Sequence, residues 1–389
     1  MRGLNKEAGF ILVLGLLSLL FVSVIGLGAI NTTYYHSQIS GHRRVSTRAF
    51  YAAEAGINEL LGRFRQGAAG EINDAAPSNP AWKLFVASNS TAAGGIGYSS
   101  GDPSHVLVQS LQGQLHFAVE VRHKVNIANS VIEKRGSPIY IVTSHGYTEE
   151  GGGKVVEVEL VKSPSADPPG ALYSERPVNV LGTSTYIQGN DACGSKNKPG
   201  ITTTLSQTPT DPISVAGNPT VEGDPAKEYN AEDQDLKEMV NVLSKSADPA
   251  YKYLTNKTIT GQSWGTPVGS GTTTPLTYSG PMNIVYFDMN GDKTVKLAGG
   301  CCGAGILLVN GNLELNGGFR WYGLIIVTGS VDYTGGGEKN VTGGIMAGET
   351  TTVQVDVGGN AGIIYCSSIA DRLKDKINPF NVIRWRDVS

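Results

Sequence analysis

Apolar and polar positions fall into three regimes along the chain. From Phe10 to Ile30 the sequence FILVLGLLSLLFVSVIGLGAI carries no charge over 21 residues. A helix of about 20 such residues spans the hydrocarbon core of a bilayer. A secretory signal has a shorter apolar region closed by a small-x-small cleavage site. Here the run continues into Asn31, Thr32, Thr33, Tyr34 and Tyr35, with no Ala-x-Ala site. The pattern therefore predicts a retained spanning helix. Past the membrane, Phe50, Ala53, Ile57, Leu60 and Phe64 are spaced 3, 4, 3 and 4. That spacing draws one apolar stripe on a helix running to about residue 66. His42, Arg43, Arg44, Arg48 and Arg63 lie off the stripe, and Gly41 loosens the helix locally.

In the second regime the period changes. Residues 67–90 are rich in Gly, Ala, Asn and Pro and read as loop. Apolar residues then alternate within 116–125 and 138–161, the latter interrupted by Gly151, Gly152 and Gly153. Alternation on both sides of a glycine turn predicts a hairpin. Three or four antiparallel strands against the long helix make a small α+β head over 67–165. The segment Ser163–Pro169 holds three prolines in seven residues and marks a domain boundary.

In the third regime, short apolar runs recur behind glycine-rich turns. They begin at Ile284, Ile306, Leu324, Ile345 and Ile363, separated by 22, 18, 21 and 18 residues. The segments VNGNLELNGG at 309–318 and VTGSVDYTGGG at 327–337 repeat one pattern. Each unit is too small to bury its own apolar face, so stacking must supply the core. Residues 166–389 are therefore expected to form a β-solenoid-like all-β domain, with an ordinary sandwich as the competing architecture. Residues 171–189 read as an early rung and 201–280 as an insertion. Leu236, Met239, Val240 and Leu243 predict a short helix inside that insertion. The tail, Ile369–Lys376 and then NPFNVIRWRD, is expected to cap an open end, which otherwise recruits other chains.

The leader MRGLNKEAG precedes the apolar run, and its Arg2 and Lys6 hold it in the cytoplasm. A peptidase at the membrane surface that cuts between Gly9 and Phe10 leaves an N-terminus apolar from its first residue. Cutting at Gly3 instead leaves Asn5, Lys6 and Glu7 to be buried in lipid, which is costly.

These features, with the segment Arg48-Ala49-Phe50-Tyr51-Ala52-Ala53-Glu54-Ala55-Gly56, resemble the N-terminal region of PilX-type minor pilins. Phe50, Tyr51, Ala53, Glu54 and Gly56 carry the signature, and the resemblance covers roughly residues 1–66. It implies removal of residues 1–9 by prepilin peptidase and a pilin helix over 10–66 whose outer half packs on a globular head. It implies an inner-membrane subunit with a periplasmic body, which then joins a type IV pilus at the cell surface. Its partners would be other pilins and minor pilins, with a tip adhesin as a candidate. Major pilins carry Glu at the fifth mature position, and here that position is Leu14. The departure resembles PilX-type and type II secretion tip pseudopilin subunits and places the chain outside the major-subunit role.

Composition refines this picture. Among 389 residues there are 31 basic and 34 acidic, a net charge of −3, which leaves no basic footprint for nucleic acid. With 51 glycines, 17% charged and 40% hydrophobic residues, the chain suits turn-rich β structure and not disorder. Cys193, Cys301, Cys302 and Cys366 form no CxxC pair and have no His at metal-ligand spacing, so no metal is expected. Outside the cytoplasm a bridge from Cys193 to Cys301 or Cys302 is expected, against four buried thiols. Gly261-Gln262-Ser263-Trp264-Gly265 matches GxSxG, but the Pro- and Gly-rich sequence after it opposes the required helix. Asp288, Asn290 and Asp292 alternate like calcium ligands, yet Leu297 and Ala298 stand near where an EF-hand places Glu, so a turn is expected. No phosphate or dinucleotide fingerprint is present, so no cofactor and no enzyme is expected. The alternative is a membrane-tethered, solenoid-based polysaccharide-binding protein or hydrolase. Against it, Tyr286, Trp321, Tyr322, Tyr333 and Tyr365 do not share one repeat phase.

Overall fold

A computed structural model describes residues 6–64, 72, 74, 76–102, 104–106, 115–134, 137–164, 167–254, 258–291, 293–348, 354–374, 376–377 and 380–388. Arg2 and Gly3 of the leader, Asp292 of the calcium-like segment and Ser165–Ala166 of the proline-rich linker lie outside the described residues. The chain divides into two compact units, Met1–Val161 with Val382–Ser389, and Lys162–Asn381.

The first unit joins one helix, α1 (Lys6–Arg63), to a six-stranded sheet. Its strands are β1 (Lys83–Ala87), β2 (Ser104–Val106), β3 (Leu115–His123), β4 (Tyr140–Thr148), β5 (Gly153–Lys162) and β6 (Phe380–Asp387). They lie in the order β2-β1-β3-β4-β5-β6. β2 runs parallel to β1, whereas β1 with β3, β3 with β4 and β4 with β5 are antiparallel. The glycine-centred hairpin is there, with Tyr147 opposite Gly153. The fate of the tail is a correction. Its strand does not cap the repeats but becomes the edge of the head sheet, because Arg384 and Arg386 find Glu159 and Glu157 on β5 at 3.6 and 2.5 Å. Those pairs also make β6 antiparallel to β5.

The second unit is a coil of parallel rungs. One sheet stacks the strands Asn283–Asp288, Cys302–Asn310, Arg320–Val327 and Lys339–Ala347. A second stacks Thr294–Ala298, Asn312–Leu315, Val331–Tyr333 and Val355–Val357. Val285, Leu307, Ile325, Leu297, Leu315 and Val331 fill the space between them. The first sheet is apolar on its outer face too, where Ile306, Leu308, Leu324 and Ile326 lie under α2 (Leu236–Leu243) and α3 (Ser367–Lys374). Burial on both faces explains why these runs read as continuously apolar while the second sheet alternates, as in Lys296, Glu314 and Asp332 between buried neighbours.

Two expectations change here. Ile284, Ile306 and Leu324 stack in register, but Ile345 stacks on Ile325, and Ile363 on Val341. Residues 201–280 also supply rungs. Ile201–Thr203 and Ile213–Ala216 stack on Leu172–Ser174 and Val178–Leu181 at one end. Lys252–Tyr253 and Thr258–Thr260 form the start of the other. The chain thus begins near one end, runs outward, passes α2 along the outer face and winds back. Its last repeat strand, Ala361–Tyr365, meets the first: Lys339–Gly343 pairs with Ala361–Tyr365, and Ile345–Ala347 with Leu172–Ser174. Two sequence-distant segments share one rung.

Candidate assembly site on the N-terminal helix

The first functional element is α1 itself, 58 residues or about 87 Å of continuous helix. Its apolar half is long and apolar enough to cross a membrane by length and composition. Side chains from Val13 to Arg44 are exposed, and Leu14 is 56% exposed. Gly9 and Phe10 fall on the helical backbone near its start. Ser18, Ser23, Thr32 and Thr33 each donate to the carbonyl four residues earlier, so these hydroxyls are satisfied within the helix. An apolar environment can then surround the stalk without stranding them.

The outer half is seated on the head. Ala49, Ala52, Ala53, Gly56, Ile57 and Leu60 are buried, and Phe64 follows just past the helix end. The expected stripe is corrected at one point: Phe50 is only half-buried and stacks edge-on against exposed Tyr51 at 6.1 Å. At that level the seat is built from small residues. A Cβ at Gly56 would stand 2.7 Å from Ser144 Oγ and 2.8 Å from Val119 Cγ2. Across the interface, a Cβ at Gly146 would meet the Ala49 carbonyl oxygen at 2.0 Å. Ser144 Oγ donates to the Ala53 carbonyl at 2.7 Å, a bond that close approach permits. Glu54 is half-buried. At the rim, Arg48 pairs with Glu150 at 2.8 Å.

Sequence reasoning missed the clamp that follows α1. Asp74 accepts from Tyr140 Oη at 2.9 Å and lies 2.8 Å from His123 Nε2. His123 Nδ1 is 2.8 Å from the Asn79 carbonyl and so carries a proton. Trp82 stacks on the imidazole at 4.7 Å. Burial, with Asp74 adding to it, pushes the Tyr140 phenol far above its ordinary value. These residues are separated by as many as 66 positions, so no local spacing announces them.

The cysteine expectation is also corrected. Cys193 is bonded to Cys366, while Cys301 and Cys302 are free and buried. The physical reason is the stacking of neighbouring rungs. Tyr186–Gln188 stacks on Gly362–Ile364, which brings the turn after one beside the end of the other. Cys301 points into the core near the Ile259 and Ala298 carbonyls. Asp191 reinforces the join, accepting from the Ser367 and Cys193 amides through Oδ1 and the Lys196 amide through Oδ2. Burial opposes the charge of Asp191, but these bonds outweigh it and hold its carboxyl below the usual range.

The enzyme-like motifs resolve into structure. Ser263 is exposed and donates to the Gly265 carbonyl, whereas Trp264 is buried in the coil and a two-residue strand replaces any elbow. Asp288 accepts from the Asn290 amide and from Asn310 Nδ2, shaping a corner between two sheets. Trp321, Tyr333 and Tyr365 are core residues.

An apolar stalk running into a helix seated on a small α+β head is a pilin-like arrangement. Residues 8–58 match the family described as PilX N-terminal, and in this region the chain is similar to that family. The crystal structure of the competence-associated pilin ComZ from Thermus thermophilus is 12% identical, covering 88% of this chain and 98% of that one, with a TM-score of 0.23. No curated protein sequence matches the chain.

Proposed function

We propose that this chain is a minor pilin, cut between Gly9 and Phe10 by prepilin peptidase and incorporated at or near the tip of a type IV pilus. Before assembly, Phe10–Ile30 holds it in the inner membrane with the body periplasmic. The observation that carries this reading is the exposure of every side chain from Val13 to Arg44 on a helix whose continuation is firmly seated. Such a stalk needs apolar company, supplied first by lipid and then by the helices of other pilins. Leu14 lacks the charge that resemblance to major pilins would require there. A coil of this size crowds a repeating shaft and suits a terminal place, where it starts assembly or presents a partner. The Cys193–Cys366 bond suits an oxidising compartment.

The test is N-terminal sequencing of the membrane-bound protein from cells with active prepilin peptidase. The expected first residue is Phe10. A protein that still begins at Met1 rejects the reading, as does a soluble product lacking the whole apolar run.

A further inference from the structure

We propose that β6 is a docking edge, and that a strand from the head of a neighbouring pilin-type subunit extends the sheet along it. This inference rests on the pilin reading above. Three observations lead to it. First, β6 is the outermost strand of its sheet and eight residues long. Among the described residues the other open edges are short: β2 has three residues, the terminal rung strands Ile213–Ala216 and Thr258–Thr260 have four and three, and Thr220–Glu222 and Lys252–Tyr253 have three and two. Pro212 and Pro219 flank Ile213–Ala216. Short strands are one way natural sheets discourage edge pairing, and β6 is not short; its flanking Pro379 precedes the strand and leaves 380–387 without a proline.

Second, its backbone faces outward in a defined phase. The Val388 amide donates to the Val155 carbonyl, so even-numbered residues turn their amides toward β5. Alternation leaves the N–H and C=O groups of Ile383 and Trp385 directed at the open side. Their natural complement is another extended backbone, which is recognition by strand addition.

Third, the side chains are sorted by face. Arg384 and Arg386 turn back to Glu159 and Glu157, so their charges are paired with carboxylates of β5 on one face of the sheet. Ile383 and Trp385 lie on the other face, the one that carries α1, and are 43% and 44% exposed. An incoming strand with apolar residues at alternate positions would cover them. Bundled stalks hold neighbouring heads together at high local concentration, which makes a modest strand contact sufficient.

The experiment uses the full-length chain in its producing cells, with the photocrosslinker p-benzoylphenylalanine placed at Trp385 and, separately, at Leu20 in the apolar stalk. The expected result is an adduct from position 385 whose partner peptide, identified by mass spectrometry, is a strand of another short-leader pilin. Adding Ile383→Pro removes an outward N–H without touching the β5 ladder, and the adduct should fall about tenfold or more. Ile383→Lys serves as a second variant, and far-UV circular dichroism confirms that both remain folded. No adduct at 385 while Leu20 still captures pilins overturns this inference alone. So does a partner that is a second copy or a non-pilin, or an adduct indifferent to both variants. Loss of pilin capture at both positions overturns the pilin reading itself.

Discussion

Cys193 and Cys366 are bonded across 173 residues of sequence because the strands before them, Tyr186–Gln188 and Ala361–Tyr365, stack as neighbouring rungs. The coil is threaded from its interior: the chain enters at Leu172, leaves the stack, returns at the far end and closes on its own entry. The disulfide, with Asp191 accepting from the first amide of α3, sits where the two threads meet.

Replacing both cysteines, Cys193→Ser with Cys366→Ser, is expected to cost about 2–4 kcal/mol, since the bridge closes a long loop of the unfolded chain. The measurement is thermal unfolding without reductant. An unchanged melting temperature contradicts the assignment. Cys301 and Cys302 should react with thiol reagents only after unfolding.

Acid should loosen the same join. Asp191 has a depressed carboxyl in the folded protein, so its contribution is fully present above the unfolded value of 3.8 and is lost as the pH falls through the lower folded value. Asp191→Asn removes that dependence. Hydrogen exchange at residues 367–374, compared between the native protein and this variant at and below pH 4, reads the difference.

Gly56→Val and Gly146→Val are each expected to lift α1 from its seat. Overpacking costs about 1–3 kcal/mol where neighbours can shift, and more at Gly146, where the obstacle is helix backbone. Denaturant unfolding of the processed chain in detergent measures the loss. A neutral Gly146→Val places the helix elsewhere.

Ser263→Ala and Trp264→Ala separate a nucleophile motif from a core. The first removes an exposed hydroxyl and should change stability by less than about 0.5 kcal/mol. The second empties a buried site beside Phe287 and Trp321 and should cost about 3–5 kcal/mol. The reverse order in unfolding free energy refutes the placement of Trp264 in the coil.

The sequence by itself determined whatever depends on near neighbours along the chain. The uncharged run from Phe10 to Ile30, the amphipathic turns after it, the hairpin around Gly151–Gly153 and the repeating rungs are written in periods of 3.6, 2 and about 20 residues, and a local period survives any tertiary arrangement. Tertiary structure decided what depends on which distant segments meet. It sent Phe380–Asp387 to the head sheet, turned residues 201–280 into the terminal rungs, paired Cys193 with Cys366 and gathered Asp74, His123 and Tyr140. It also took Phe50 out of the seat of α1 and put Ala49, Ala52 and Gly56 beside the expected Ala53, Ile57, Leu60 and Phe64, because backbones approach closely there. Such choices rest on packing and on hydrogen bonds across large sequence separations, where spacing carries no signal.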